Sequence, residues 1–388
     1  MKKHLFPLFL LFSSANVQAQ QDFFAIVGKE TSGINFSDFR MLDGINGTST
    51  EKIFTSDSPS KIFSQTRRGI VVEDRNSFNN SQAVTMAALA YDSSNNNLVY
   101  MPMFSSNIYM LNAKTKEITL IENDVVRVSS CDINSHITRM TTGSDGNIYA
   151  VNNAGAQFLQ ISKKNGHYVV TDLGIIKDDV SNGKNSFTAM ESGFGGDMIA
   201  DMENNFYVFA ASGNVFKVSP KELKAKFVGK ITGIPDNYSV NGSAVNEQRK
   251  VVIASAKGSP LYEVDLTTLQ AKKLPGEQNL HIYDLASKHF INDKVSPNNS
   301  SNGIDIYPTR VDEHYINVHI NNRNLKGNLK LNIYDLSGKN IIAQTLSVKD
   351  NSTDQKIYLK ELIKGAYIVS ITDEAGKIVM NKKILVTE

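Results

Sequence analysis

Residues 139–173 read RMTTGSDGNIYAVNNAGAQFLQISKKNGHYVVTDL. A strand of small and polar residues runs into Ser144-Asp145-Gly146-Asn147, which tolerates the positive φ that tight hairpins need. An aromatic strand, a loop, a third strand, a polar turn and a fourth strand follow. Residues 86–121, 197–231 and 241–274 repeat this plan, from MAALAYDSSNNNLVYMPM, DMIADMENNFYVFAASGN and NGSAVNEQRKVVIASAKG onward. The copies start about 44 to 58 residues apart, the spacing of four-stranded propeller blades. Ala87, Ala88, Ala90, Gly143, Ala200, Gly242 and Ala244 open them, small enough for strands crowded round a narrow axis.

Two fragments lie outside the four copies. His281 to Ser287 resembles an opening strand alone, whereas FFAIVGK (23–29), GINFSDFRML (33–42) and EKIF (51–54) resemble the later strands. Joined, they make one more blade closed by two distant parts of the chain, which removes exposed sheet edges. The expected fold is therefore all-β, with a five-bladed N-terminal propeller; six blades, with residues 56–82 contributing, is the alternative. Helical periodicity is nearly absent, and Asp354 to Leu362 alone invites a helix.

The blade-to-blade connections are long, near Thr55–Thr85, Glu122–Thr138 and Gly174–Gly196, and the opposite turns are short. One face is thus elaborated, and long ordered loops on a rigid scaffold are where binding concentrates. Aligning the copies puts Ala87, Arg139, Asp197 and Asn241 at the starts of the inner strands, with Tyr283 or Asp284 as the fifth according to register. These positions are expected at the mouth of the channel on the elaborated face. Arg139, Asp197, Asn241 and Asp284 could grip a polar ligand with forked donors and acceptors, or could glue the blades as a satisfied network.

Other chemistry is sparse. Gly193-Phe194-Gly195-Gly196 enters a strand instead of a helix, so it reads as a close-approach bend and not a phosphate cradle. Seven histidines show no tight ligand spacing, and Asn298 to Gly303 mimics only half a calcium loop. There is no GxSxG, and the sequence points to no particular cofactor. Lone Cys131 forms no disulfide framework and reads as a tolerated free thiol. A net charge of +2, with no long block of either sign, gives no footprint for nucleic acid.

The first residues, MKKHLFPLFLLFSSANVQAQ, have the positive region, short apolar run and small-residue cleavage site of a signal peptide, so 1–19 are expected to be removed on export. Residues 20–291 then form the propeller and the Pro/Asn/Ser-rich stretch 292–301 a linker. Beyond it, seven short strands (IDIYP, YINVHI, LKLNIYDL, NIIAQTL, QKIYL, AYIVSIT and KIVMNKKILVT) suit a small immunoglobulin-like sandwich. LNIYDLSGKNIIAQTL (331–346) is its hairpin, turning at Ser337-Gly338.

IDIYPTRVDEHYINVHI, LNIYDLSGK and LKELIKGAYIVSITDEAGKIVMNKKILV, in this order, resemble the C-terminal sorting domain of the type IX secretion system of Bacteroidetes, over residues 302–388. Thr309-Arg310 after Pro308 departs from the Asn-Pro usual in that family. The resemblance implies passage through the outer membrane with the secretion machinery as partner. It also implies, in many members, removal of the tail and attachment to surface lipopolysaccharide. FGGDMIADMENNFYVF (194–209) resembles uncharacterised propeller regions that accompany such tails, and implies no activity. The reading is of a secreted or cell-surface binding module for a glycan, peptide or protein; a lactonase-like hydrolase or a lyase is the alternative.

Overall fold

A computed structural model describes residues 23–29, 36–55, 58, 61–71, 86–164, 166–276, 280–291, 304–307, 310–311, 314–320, 325, 327–348 and 353–387. The expected signal peptide and linker lie outside them. Among the described residues the regular secondary structure is almost entirely strand.

Four blades follow one another along the chain, each ordered from inner to outer strand. Their inner strands are Met86–Asp92, Ile137–Thr142, Asp197–Ala200 and Gly242–Val245. Blade five joins Ile282–Ala286, as inner strand, to Phe23–Gly28, Phe36–Leu42 and Ser49–Thr55. Phe24 pairs with Ala286 and Ile26 with Asp284, so the expected closure by the two fragments is what the ring uses. Each inner strand lies against the next, and that of blade five against that of blade one.

Residues 62–71 do not build a sixth blade. Ile62–Ser64 instead runs parallel to Ile118–Ile121 on the outer edge of blade one, and Gly69–Val71 pairs with it. The Gln65 amide then exchanges hydrogen bonds with the Tyr168 backbone, tying this hairpin to blade two. Lys177–Asp178 covers the outer edge of blade three in the same way. Both hairpin and strand pair backbone groups that an outer edge would otherwise leave open.

The ring is held by five hydrophobic clusters, one between each pair of neighbouring blades. Phe39 and Tyr100 meet between blades five and one, Tyr149 and Phe206 between blades two and three. Burying strands on both faces explains their near-continuous apolar runs. At Gly242 there is no room for a side chain: a Cβ there would stand 2.9 Å from the Leu285 backbone nitrogen.

The remaining strands form two sheets around one core that includes Ile306, Val318, Leu331, Val369 and Ile371. One sheet holds Ile304–Tyr307, Tyr315–Ile320 and Thr353–Tyr358. The other runs Arg310–Val311, Ile378–Val386, Gly365–Thr372, Gly327–Asp335 and Asn340–Val348. Leu329, Leu331 and Ile333 point inward while Lys330 points out, the alternation of a half-buried strand. The stretch that invited a helix is a strand from Thr353 to Tyr358, because Tyr315–Ile320 offers its backbone a complete ladder.

The chain leaving blade five crosses the short-turn end of the axis. Ser287 Oγ accepts from the Val245 N–H at 3.0 Å, and Ile291 exchanges backbone bonds with Ala200 and Met202. Phe290 then packs on Tyr307 of the sandwich, with ring centroids 5.1 Å apart. The sandwich thus sits on the plain face, and the long connections are left on the opposite one.

Candidate functional site

Three of the four candidate residues meet on the axis and are fully buried: Arg139, Asp197 and Asp284 each have 0% of their surface exposed. Arg139 enters from blade two. Its Nε donates to the Gly195 carbonyl at 2.8 Å and its Nη2 to the Gly193 carbonyl, while Phe187 lies 5.1 Å below the guanidinium. The Gly193–Gly196 bend exists to bring those carbonyls in. A Cβ on Gly196, whose φ is +84°, would stand 1.7 Å from the Phe209 carbonyl oxygen.

Asp197 opens blade three and accepts from the backbone N–H groups of Met198 at 2.6 Å and of Ser243, in blade four, at 2.5 Å. Its carboxyl also adjoins that of Asp284 of blade five. Asp284 in turn accepts from the Leu89 N–H of blade one at 3.0 Å. One polar cluster therefore touches all five blades.

Two adjoining buried carboxyl groups repel unless at least one carries a proton. Burial raises both above the ordinary carboxylate range, Asp197 to about 8, and the neighbouring Asp197 charge pushes Asp284 further. Burial lowers the Arg139 guanidinium to about 9 against the pull of Asp197, and it stays charged at neutral pH. Arg139 is thus the buried cation of the cluster, beside a carboxyl pair that holds on to protons.

Asn241 does not join. Its Oδ1 accepts from the Ala256 N–H at 3.0 Å within its own blade. Tyr283 turns into the core between blades five and one, which leaves Asp284 as the axial residue. Cys131 is exposed in the loop before blade two. His314 precedes its strand, with φ +54°, and His319 is buried against the propeller.

The elaborated face is rigid. Asn153 staples its two long loops: Nδ2 donates to the Ile133 carbonyl at 2.8 Å, and Oδ1 accepts from the Gly195 N–H at 3.2 Å. Asn182 pins the second loop to the Ala225 carbonyl and the Phe227 N–H of blade three. Asp178 holds the same loop through Asn182, Ser186 and the Phe187 N–H. These loops present Ile133, Ile175, Met190 and the wholly exposed Val180 to solvent. Sequence reading placed the loops on this face but passed over these aliphatic side chains, which stand out only as apolar residues within polar stretches.

The fold and its appended sandwich define a two-part protein, a five-bladed propeller followed by a terminal β-domain. Residues 305–387 match the family of the secretion system C-terminal sorting domain, so that β-domain is a type IX secretion sorting domain. It implies export to the cell surface or beyond, with the secretion machinery as partner. No curated protein matches the chain. Among solved structures, PorZ, a surface component of the type IX secretion system of Porphyromonas gingivalis, is 10% identical with a TM-score of 0.30 over 95% of this chain and 50% of its own. The periplasmic gluconolactonase of Pseudomonas aeruginosa is 10% identical with a TM-score of 0.33 over 95% and 96%. Virginiamycin B lyase of Staphylococcus aureus is 10% identical with a TM-score of 0.33 over 95% and 97%. At such identities and scores these likenesses carry no argument about activity.

Proposed function

We propose that this protein is a surface-displayed binding module whose elaborated face, around blade two, takes a protein or peptide ligand. Ordered loops on the side away from the sorting domain offer Ile133, Ile175, Val180 and Met190 to a partner, and that observation carries the reading. Aliphatic side chains on a rigid frame suit an apolar peptide surface better than a sugar. The axial carboxyl pair is the nearest thing to acid–base machinery, but it is spent on joining blades and reaches no solvent. We accordingly read Arg139, Asp197 and Asp284 as the lock of the ring, with Asn241 fastening blade four alone.

In the same reading residues 1–19 are a signal peptide, 20–291 the propeller, 292–301 a linker and 302–388 the sorting domain. The sandwich is immunoglobulin-like, since its first, second and fifth long strands share one sheet. Lipopolysaccharide attachment would follow if the tail is removed.

Two measurements test this. Deleting residues 302–388 should trap the protein in the periplasm; surface display of the truncated chain at the parental level would sink the delivery reading. The second screens the full chain, beside Val180→Asp and Met190→Asp, against a displayed peptide library and a glycan array. Peptide binders of the parent should be lost from both variants at unchanged melting temperature. Retention of those binders by both variants, or binders found on the glycan array alone, would overturn the ligand assignment.

A further inference from the structure

Five ionisable side chains of the described residues gather in one cluster where the sorting domain meets the propeller. Arg249 comes from the inner turn of blade four, Lys288 and His289 from the segment leaving blade five, and His319 and Asp354 from paired strands of the sandwich. His319 Nδ1 lies 2.7 Å from Asp354 Oδ1, and Lys288 Nζ 3.2 Å from Asp354 Oδ2. Arg249 Nη1 lies 3.4 Å from His289 Nδ1. The two imidazoles meet edge to face with centroids 5.4 Å apart, and both histidines are buried, at 4% and 1% exposure. Phe290 and Tyr307 pack beside them, with the Arg249 guanidinium 6.0 Å from the Tyr307 ring.

His289 therefore faces Arg249, Lys288 and His319, with Asp354 the acid among the described residues of the cluster. An arginine only donates, so His289 Nδ1 must keep its lone pair to accept from Arg249. A proton on Nδ1 would break that bond and bring two cations into contact inside a buried interface.

We propose that this cluster is a pH-released clasp, which holds the sorting domain on the short-turn face at neutral pH and lets go as pH falls through the ordinary histidine range. Burial first, and Arg249 second, hold His289 well below its usual value while docked. Undocked, it would titrate near the ordinary value of about 6.5. The docked state thus binds fewer protons than the open one, and docking weakens as pH drops below that value. One such group lowers the docking constant by up to about tenfold per pH unit. Asp354 acts in another window. Burial opposes its ionisation, yet the bond and charge of His319, with Lys288, hold it below the usual carboxylate range, so its part is lost only at much lower pH.

The test uses the full chain. Small-angle scattering should show a reversible increase in maximum dimension between pH 7.5 and 5.0. Proteolytic nicking between residues 291 and 304, normalised to an unfolded control substrate, should rise by up to about tenfold per pH unit below 6.5. His289→Gln, which keeps an acceptor toward Arg249 but takes up no proton, should stay compact at both pH values. Arg249→Gln should move the opening midpoint to lower pH, and it decides the matter if His289→Gln does not fold. Equal dimensions and nicking at both pH values would overturn the clasp. So would opening of His289→Gln like the parent, or an unmoved midpoint in Arg249→Gln.

Discussion

Replacing Asp284 by Asn changes one atom at the centre of the ring, and the consequence is a changed dependence of stability on pH. In the native protein Asp284 keeps a proton, because burial and the neighbouring Asp197 charge hold it well above the ordinary carboxylate range. The unfolded chain loses that proton near pH 4. Above that pH folding takes up the Asp284 proton, so its contribution to stability is full at low pH and declines as pH rises, by about 1.4 kcal/mol per unit. In Asp284→Asn the amide oxygen would still accept from the Leu89 N–H, and the amide nitrogen would donate permanently to Asp197, with no proton taken up. From pH 5 to 7 the variant should therefore gain about 2–3 kcal/mol relative to the parent. Urea unfolding of the propeller at pH 5, 6, 7 and 8, followed by circular dichroism, measures the gap. Parallel curves, with a gap that does not change with pH, would refute the retained proton. Asp284→Ala is the control: it strands the Leu89 N–H, at a cost of about 1–3 kcal/mol or more at every pH.

Arg139→Ala should cost about 2–5 kcal/mol, since it leaves two buried carbonyls without their donor and opens a cavity; a thermal melt within a degree of the parent would mean that the cluster is not a lock. Deleting Phe23–Thr55 removes three strands of blade five and bares the inner strand Ile282–Ala286, so aggregation or a large fall in melting temperature should follow. A truncated chain that stays monomeric and melts unchanged would rule out the closure.

Much of the ring was legible because each blade repeats its own local chemistry. The turn at Asp201 is an example: its carboxylate accepts from the Glu203 and Asn205 N–H groups while Asn204 adopts φ +61°. The position of Asp284 was legible too, but only as one of two registers, since the choice between it and Tyr283 rests on which residue packs against blade one. The burial of Arg139 was not. Outer strands such as His167–Gly174 alternate between more and less exposed positions, whereas Asp197–Ala200 is buried throughout, so alternation cannot say whether a polar residue on an inner strand meets water. Asn241 was misleading for a local reason, because the turn at Ala256 captures its amide. The clasp was beyond reach altogether: His289 and His319 belong to different folding units, and no sequence pattern brings them together.

Blade five also sets the kinetics of the ring. Pairing within blades two to four joins residues separated by short turns, whereas Phe24 meets Ala286 about 260 positions further along the chain. Closing a loop of that length costs entropy that no local contact returns until the strands have met. An arc of four blades can therefore form early and wait, with Phe23–Gly28 and the flank of blade four still unpaired. Substitutions at Phe24, Ile26 or Leu285 should act on that last step and on how fast the finished ring reopens, while those inside blade three, which is formed by then, should leave the reopening rate little changed. The joint that leaves the native ring without a seam is also the slowest part of its assembly.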